Sequence, residues 1–424
     1  MVAAALIAEG GPLTSTRPRR TNCHLDNMVG PALTNKRGLR CLPAKRSGAE
    51  PHREAGPMGK LRFVGLDVHK DTVVIAIAES DGTAPWALGT FPNETSSLVK
   101  RLKKLGSGHE LRCCYEAGPT GLGLYRALKT AGIACSVVAP SLVPKTSGDR
   151  VKTDRRDAAK LARFLRSGDL AEIHVLDEQT EAMRDLERAR DDAKKAERVA
   201  RHQLSKFLLR HGRIYGGKSS WCGMHMDWIR GQKFEQEAHN RVLPEYVRAV
   251  EESTARVERL THDIVELVKD WHLKPLVDAL QSLRGVSTLG AVILAAELGG
   301  LARFSTAPQL MAFVGLVPSE HSSGQSKQRG HITCAGNSHV RRILVEAAWA
   351  YRFRPTMSWA IRKRNEGVAP EVQAIAWKAQ NRLHGRYKKL LGRGKNKQQT
   401  VTAIARELAG FVWAIGRQPS AMAA

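Results

Sequence analysis

The sequence FVGLDVHKDTVVIAIAESDG, residues 63–82, decides the fold of this chain. Its apolar residues alternate over two runs, 61–68 and 72–79, which predicts two antiparallel strands joined at HKDT. One acid, Asp67, interrupts the first run. Because a buried carboxylate is costly unless its charge is compensated, we expect Asp67 to have a functional reason for its position.

Two further segments place acids in similar positions. The run LRCCYEAG closes on Glu116, and VKTDRRDAAKLARFL sets Asp154 and Asp157 three residues apart at helical spacing. Four carboxylates from two strands and one helix would repel each other unless divalent metal lies between them. The predicted cofactor is Mg²⁺, which prefers carboxylates and leaves positions for phosphate oxygens and water. Two such ions would form the clamp that phosphodiester chemistry uses.

The order of patterns predicts the fold of this region. After the first two strands come a third run at 86–91, a helix over NETSSLVKRLKKLG and the strand that ends at Glu116. They are followed by a helix over 121–131, the strand ACSVVAP and the acidic helix. Three antiparallel strands followed by alternating strands and helices are the order of an RNase H-like α/β unit. Asn93 or Thr95 is the predicted N-cap of the first helix.

Composition divides the chain into four segments. Residues 1–57 are rich in Pro, Gly, Arg and Thr, which predicts a disordered or non-native N-terminal extension, with Met58 as the expected natural start. Residues 58–176 hold the α/β unit. Residues 177–273 contain two long, charge-rich helical patterns, which predict a coiled-coil arm that acts as a spacer, a dimer contact or a holder of nucleic acid. Residues 274–424 are predicted to form a mainly α-helical C-terminal domain.

Charge identifies the class of partner. The 424 residues include 67 Lys and Arg against 41 Asp and Glu, a formal net charge of +26. An enzyme of small neutral substrates has no need of this excess, whereas nucleic acid binding gains from each neutralised phosphate.

No apolar stretch approaches the roughly 20 residues of a membrane-spanning helix. The seven scattered cysteines, without a CxxC pair, predict a reduced cytoplasmic protein.

Two C-terminal segments are candidate nucleic-acid contacts. LQSLRGVSTLGAVILAAELGG predicts two short helices around Gly285 to Gly290, either a helix-hairpin-helix that contacts phosphate or ordinary packing, and Arg284 lies at its turn. LVPSEHSSGQSKQRG is predicted as a polar, basic loop. Its possible nucleophiles by residue type are Ser319, Ser322, Ser323 and Ser326. The cations predicted to hold a phosphate nearby are Lys327, Arg329, Arg341 and Arg342.

The ordered set of motifs resembles the DEDD-type insertion-sequence transposases, the bridge-RNA-guided recombinases. The resemblance covers about residues 61–415 and is carried by GLDVHK, EAGPTG, KTDRRDA, GVSTLGAVILAAELG and FVGLVPSEHSSG with GHITCAGNSHVRRIL. It implies a RuvC-like N-terminal domain, a coiled-coil arm and a C-terminal transposase domain. The family's catalytic serine matches Ser323, which precedes Gly324 and follows Ser322. Cys334 stands where relatives usually carry Lys.

The resemblance also implies partners. A structured RNA encoded by the element would pair with donor and target DNA, and the protein would form a homo-oligomer, a dimer or tetramer, around both. The expected location is the bacterial cytoplasm, in association with the nucleoid.

The resulting prediction is a transposase or recombinase that cleaves and rejoins DNA. Mg²⁺ at Asp67, Glu116, Asp154 and Asp157 would act together with Ser323 as nucleophile. One alternative is a RuvC-like Holliday-junction resolvase, in which water is the nucleophile. A second is an actin-like ATPase or sugar kinase, although the chain lacks a glycine-rich phosphate loop beside Asp67. The third is a non-enzymatic nucleic-acid scaffold whose acids pair with Arg and Lys.

Overall fold

The structure is a computed structural model that describes residues 61–144, 153–324 and 326–422, without the side chain of Lys327. The predicted extension over residues 1–57 lies outside this range.

The N-terminal part contains one mixed sheet of five strands. These are β1 (Arg62–Val68), β2 (Thr72–Glu79), β3 (Trp86–Pro92), β4 (Leu111–Glu116) and β5 (Ala134–Val138). Their order across the sheet is β3-β2-β1-β4-β5. The strands β1, β2 and β3 pair antiparallel, whereas β1, β4 and β5 pair parallel. The predicted meander followed by strand and helix alternation is therefore confirmed.

Helices cover both faces of this sheet. On one face lie α1 (Thr95–Leu105) and α2 (Gly123–Thr130), whose buried Leu98 and Leu128 join Leu66 and Tyr115 in one apolar cluster. On the other face lies α3 (Asp154–Ser167), which contacts β1, β2 and β4. The acidic helix is thus placed directly against the central strands.

The predicted N-cap of α1 is wrong. Glu94 occupies that position without a side-chain hydrogen bond to the helix. The Asn93 amide instead donates to the carbonyl oxygens of His69 at 2.8 Å and Lys70 at 3.3 Å. Asn93 therefore stabilises the β1–β2 turn, because that turn offers its side chain two acceptors.

Two long helices follow the sheet. These are α4 (Glu178–Arg210) and α6 (Glu237–Leu267), with the short α5 (Gly223–Arg230) between them. They run antiparallel, since Arg190 donates to Thr261 at 2.7 Å while Thr254 lies 3.3 Å from Glu197. This pair occupies the segment predicted as the coiled-coil arm.

Most of the remaining chain is helical. The helices are α7 (Lys274–Leu280), α8 (Thr288–Leu298), α9 (Ala307–Phe313), α10 (Ser338–Ala348), α11 (Trp359–Arg364), α12 (Pro370–Gly392), α13 (Lys397–Gly416) and α14 (Pro419–Met422). Short 3₁₀ turns occur at Pro140–Leu142, Val268–Asp270, Leu301–Arg303 and Trp349–Arg352. Residues 290–298 of α8 are all buried, which makes α8 the centre of the largest apolar cluster.

The turn before α8 packs closely on α10. Gly285 has φ +83°, and a Cβ there would lie 2.5 Å from the carbonyl oxygen of Ala347. Only glycine fits this approach, so the contact supports the packing interpretation of the predicted hairpin.

The polar segment predicted as a loop is a β-hairpin, so that prediction was wrong. Its strands are β6 (Pro318–Ser323) and β7 (Ser326–Ile332), which pair antiparallel. Most of their described side chains are exposed. Without a buried face the strands lack the apolar alternation by which a strand is predicted.

Candidate active site

Asp67 lies near the end of β1, on the face of the sheet that α3 covers. Gly65 shares this face, because alternate residues of a strand point the same way. A Cβ at Gly65 would lie 2.1 Å from the carbonyl oxygen of Ala158 and 2.5 Å from the backbone nitrogen of Ala162. The missing side chain therefore lets α3 rest on the backbone of β1 beside Asp67.

Both ends of α3 are fixed. Thr153 is its N-cap, and its hydroxyl accepts a hydrogen bond from the Arg156 backbone nitrogen at 3.4 Å. At the other end, Arg166 donates to the carbonyl oxygens of Glu79 at 2.9 Å and Thr83 at 2.7 Å, at the end of β2 and just beyond it. Asp154 and Asp157 lie in the first helical turn, where the helix dipole stabilises negative charge.

Three side chains converge at this point, and we call them the sheet group: Asp67, His69 and Asp154. Each offers one ligand atom, and these atoms all lie within 4.8 Å of one another. The Nε2 atom of His69 is 3.3 Å from Asp67 Oδ2 and 3.6 Å from Asp154 Oδ2. Carboxylates at this spacing can hold a divalent metal ion, and the His69 imidazole lies close enough to both to orient them.

Electrostatics of the sheet group supports the same interpretation. Burial raises the pKa of Asp67, and the charges of Asp154 and Asp157 raise it further, while the charge and hydrogen bond of His69 lower it. The net shift is upward. A bound cation would oppose this effect, because it favours the ionised carboxylate.

Glu116 and Asp157 lie beside the sheet group but are not members of it. The parallel register pairs Leu66 with Tyr115, so one further step sets Asp67 alongside Glu116 on the same face. Glu116 ends β4, is exposed and pairs with Val138 of β5. Asp157 acts on Asp67 through its charge.

His69 is the member of the sheet group that sequence reasoning missed. Its backbone nitrogen bonds to the carbonyl oxygen of Thr72 at 2.8 Å, and its own carbonyl accepts from Asn93. The turn is therefore held from both sides. The available signal was the spacing Asp67-x-His69 at a strand end, which brings the two side chains to one side.

Ser323 lies at the tip of the β6–β7 hairpin. It pairs with Ser326 and precedes Gly324, whose φ is +58°. The adjacent Ser322 hydroxyl donates to Glu320 at 2.8 Å. Among the described residues, no hydrogen bond or ion pair joins this hairpin to the sheet group. Within the described part of the hairpin, Ser323 therefore has no polar contact with Asp67, His69 or Asp154.

Comparison with known proteins gives the family. A DEDD transposase model matches residues 64–212, and the model of the transposase IS116/IS110/IS902 family matches residues 277–362. A relative from Sinorhizobium fredii, y4qE, which is named as a transposase, is 46% identical over 84% of this chain and 88% of its own length. The transposase for insertion sequence element IS1533 of Leptospira borgpetersenii is 32% identical over 77% of this chain and 96% of its own length.

This chain belongs to the IS116/IS110/IS902 transposase family. It is therefore an enzyme that acts on DNA, and the scaffold alternative is wrong. The resolvase alternative is not favoured, because both family models and both relatives are transposases. The DEDD model spans all four predicted acids and implies an RNase H-like fold that uses divalent metal.

The predicted phosphate-binding residues of this transposase have internal contacts. Arg341 donates to the carbonyl oxygens of Val314 at 2.9 Å and Ala335 at 3.3 Å. Arg284 donates to the carbonyl oxygen of Arg354 at 2.6 Å. Arg342 forms an ion pair with Asp191 at 3.0 Å, and Arg329 lies 3.6 Å from Glu320. Arg284 and Arg341 thus stabilise the fold, and nucleic-acid contact by any of the four stays a prediction.

The predicted Lys327 contact falls on a side chain that the structure does not describe. None of the described helices combines the length and the apolarity needed to cross a membrane.

Proposed function

We propose that this transposase cleaves and rejoins DNA with two sets of groups, the DEDD acids and Ser323. The observation that carries the proposal is the approach of Asp67 and Asp154, from a strand and a helix far apart in sequence, to one point. Asp67, Glu116, Asp154 and Asp157 would hold Mg²⁺, whose hard oxygen chemistry fits this carboxylate set. When bound, the ion polarises the phosphoryl oxygens and the leaving group.

In this proposal, His69 orients the two acids Asp67 and Asp154. Its imidazole lies 3.3 Å from Asp67 and 3.6 Å from Asp154, so it orients both carboxylates from one side. Asn93 fixes the turn that carries His69. The two contacts make His69 a positioning residue of the proposed metal centre.

Ser323 is the proposed nucleophile. Its Oγ forms a bond to a DNA phosphorus while one P–O bond of the DNA breaks, and the released sugar oxygen takes up the proton that Ser323 loses. The phosphoserine conserves the bond energy, so a second strand can be joined without an external energy source. Its exposed place at a hairpin tip supports access to DNA.

The test compares two adjacent serines. Ser323→Ala should abolish the covalent protein–DNA adduct seen on a denaturing gel, whereas Ser322→Ala, with the same loss of a hydroxyl, should keep it. Loss of the adduct in Ser322→Ala alone would assign the nucleophile to Ser322. Recombined DNA produced by Ser323→Ala would refute a serine nucleophile at this position.

We further propose that the site is completed between protomers of a homo-oligomer, a dimer or tetramer. The lack of polar contact between the described hairpin and the sheet group within one chain supports this arrangement. Mixing Asp67→Asn with Ser323→Ala chains should restore DNA cleavage, because one protomer supplies each group. Activity that stays absent in mixed oligomers would place both groups in the same chain.

A guide RNA is the third part of the proposal, with the nucleoid as the place of action. The net charge of +26 supports a polyanionic partner. Sequencing of RNA that copurifies with the protein tests this, and recovery of only random cellular RNA would contradict it.

A further inference from the structure

A second cluster of metal-ligating residues lies in the helical part of the molecule, away from the sheet. We call Glu187, Glu297 and His339 the helix group. They belong to α4, α8 and α10, and their ligand atoms all lie within 4.8 Å of one another. The group therefore sits where one long helix meets the C-terminal helices.

Glu187 is the unusual member of the helix group. Its residue surface is only 1% exposed, and its two carboxylate oxygens have no hydrogen-bond partner among the described residues. Burial raises the pKa of Glu187 to about 7, with further increases from the charges of Glu297 and Asp191. A buried ionised carboxylate without a hydrogen-bond donor is costly, and either a proton or a directly bound cation offsets that cost.

Glu297 is held firmly in place. Arg188 donates to its two oxygens at 2.7 and 3.0 Å, and Asn337 donates to Oε2 at 2.6 Å. Burial tends to raise the pKa of Glu297, but these hydrogen bonds outweigh it and keep the pKa low. The Oε1 atom of Glu297 has two lone pairs, and Arg188 donates to only one of them in these contacts. The ionised Glu297 carboxylate therefore remains able to bind a cation.

His339 completes the group from the first turn of α10. Its Nδ1 atom is buried without a hydrogen bond among the described residues and lies 4.0 Å from Asp191 Oδ2. Asn337 fixes this turn, because its Oδ1 accepts from the Val340 backbone nitrogen at 3.0 Å while its Nδ2 holds Glu297. The imidazole and Glu297 are thus positioned by the same residue.

Charged groups of both signs surround Glu187. Glu297 and Asp191 each raise the pKa of Glu187 more than Arg342 or Arg188 lowers it. A third guanidinium, that of Arg190, also interacts with Glu187 through its charge. The proposed magnesium ligands are four carboxylates, whereas an imidazole is one of only three ligand side chains here. This set suits Zn²⁺ better than Mg²⁺, which prefers oxygen ligands and water.

We propose that Glu187, Glu297 and His339 bind a structural divalent transition-metal ion, Zn²⁺ by its ligand chemistry, which links α4 to α8 and α10. The site is independent of the proposed DNA chemistry. Its ligands come from three helices that lie far apart in sequence, so a bound ion would join those helices. Metal bound there would give the two Glu187 oxygens the direct partner that they lack among the described residues.

The test measures zinc in full-length protein that carries Asp67→Asn, so that the sheet group is weakened. With Zn²⁺ as the probe, we expect one tightly bound ion per chain and a melting midpoint raised by about 4 °C at a concentration roughly 100-fold above the dissociation constant. Adding Glu187→Gln should remove both effects. His339→Gln, at a less buried position, should weaken zinc binding by about tenfold or more.

The matched control is Glu197→Gln. Glu197 is also a buried acid of α4, but Lys194 lies 2.8 Å and Arg201 2.5 Å from its oxygens. Zinc content and midpoint shift should stay unchanged in this variant. Equal zinc binding by the Glu187→Gln and Glu197→Gln proteins, or none in the Asp67→Asn protein, would overturn the proposal and leave Glu187 as a neutral buried acid.

Discussion

The sheet group and the helix group contain the same residue types, one histidine and two acids, in different surroundings. Side-chain exposure in the sheet group is 21% for Asp67 and 60% for Asp154. In the helix group, Glu187 is 1% exposed and the Glu297 side chain is 1% exposed. An exposed group is accessible to a large substrate such as DNA, whereas a buried one is not. Exposure, more than ligand type, distinguishes the proposed catalytic group from the proposed structural one.

The largest expected effect is on DNA cleavage and belongs to the sheet group. Asp67→Asn should lower the cleavage rate by about 10³-fold or more, equivalent to about 4 kcal/mol of transition-state stabilisation, because it removes a metal-binding charge. The control is Asp71→Asn, an exposed acid of the same turn outside the sheet group. Equal losses in both variants would mean that the turn, and not the Asp67 ligand, matters.

The next largest effect tests whether the close packing of α3 on Gly65 holds Asp154 in the sheet group. Gly65→Ala should destabilise the protein by about 3 kcal/mol and also reduce cleavage, because its Cβ would displace the α3 backbone and with it Asp154. Gly123→Ala, at the start of α2, meets no atom within 4 Å and should be nearly neutral. Urea unfolding and a cleavage assay on both variants measure this. A stable Gly65→Ala protein with full activity would contradict the packing argument.

The smallest effect belongs to the helix group and concerns stability. Asn337→Ala should cost about 2–3 kcal/mol, since it removes an N-cap worth about 1 kcal/mol and a hydrogen bond to the ionised Glu297. Asn396→Ala removes only the cap of α13, where Asn396 accepts from the Gln399 backbone nitrogen at 2.7 Å, and should cost about 1 kcal/mol. Urea unfolding compares them. Equal costs would show that the bond to Glu297 adds nothing.

The sequence was sufficient to predict the sheet and the acids near it. Residues 63–82 alternate clearly, and the acidic helix has an apolar stripe, so their strand and helix assignments follow from periodicity alone. The Asp67 to Asp154 approach was predictable because an acid in a buried strand needs a partner. His69 was missed because it lies one residue beyond β1, where the geometry of the turn decides its direction.

Elsewhere local patterns were insufficient. The β6–β7 hairpin is polar on most of its surface, so it carries no strand signal. Glu187 and Glu197 lie on the same buried stripe of α4, and both look like ordinary charges in a charge-rich helix. Lys194 and Arg201, one turn away on either side, explain Glu197 from sequence. Glu297 and His339, which meet Glu187, come from α8 and α10, more than 100 residues later, and no local pattern reveals them.

The β6–β7 hairpin has a consequence for how this enzyme can diversify. Its exposed strands contribute little to the apolar interior, so their side chains can be exchanged at small cost in folding free energy. The length of the hairpin and the charge around Ser323 can therefore differ between copies of the element while the helices of the C-terminal part stay the same. Exchanging this short hairpin between relatives is a direct way to change the surroundings of the proposed nucleophile while the rest of the domain stays the same.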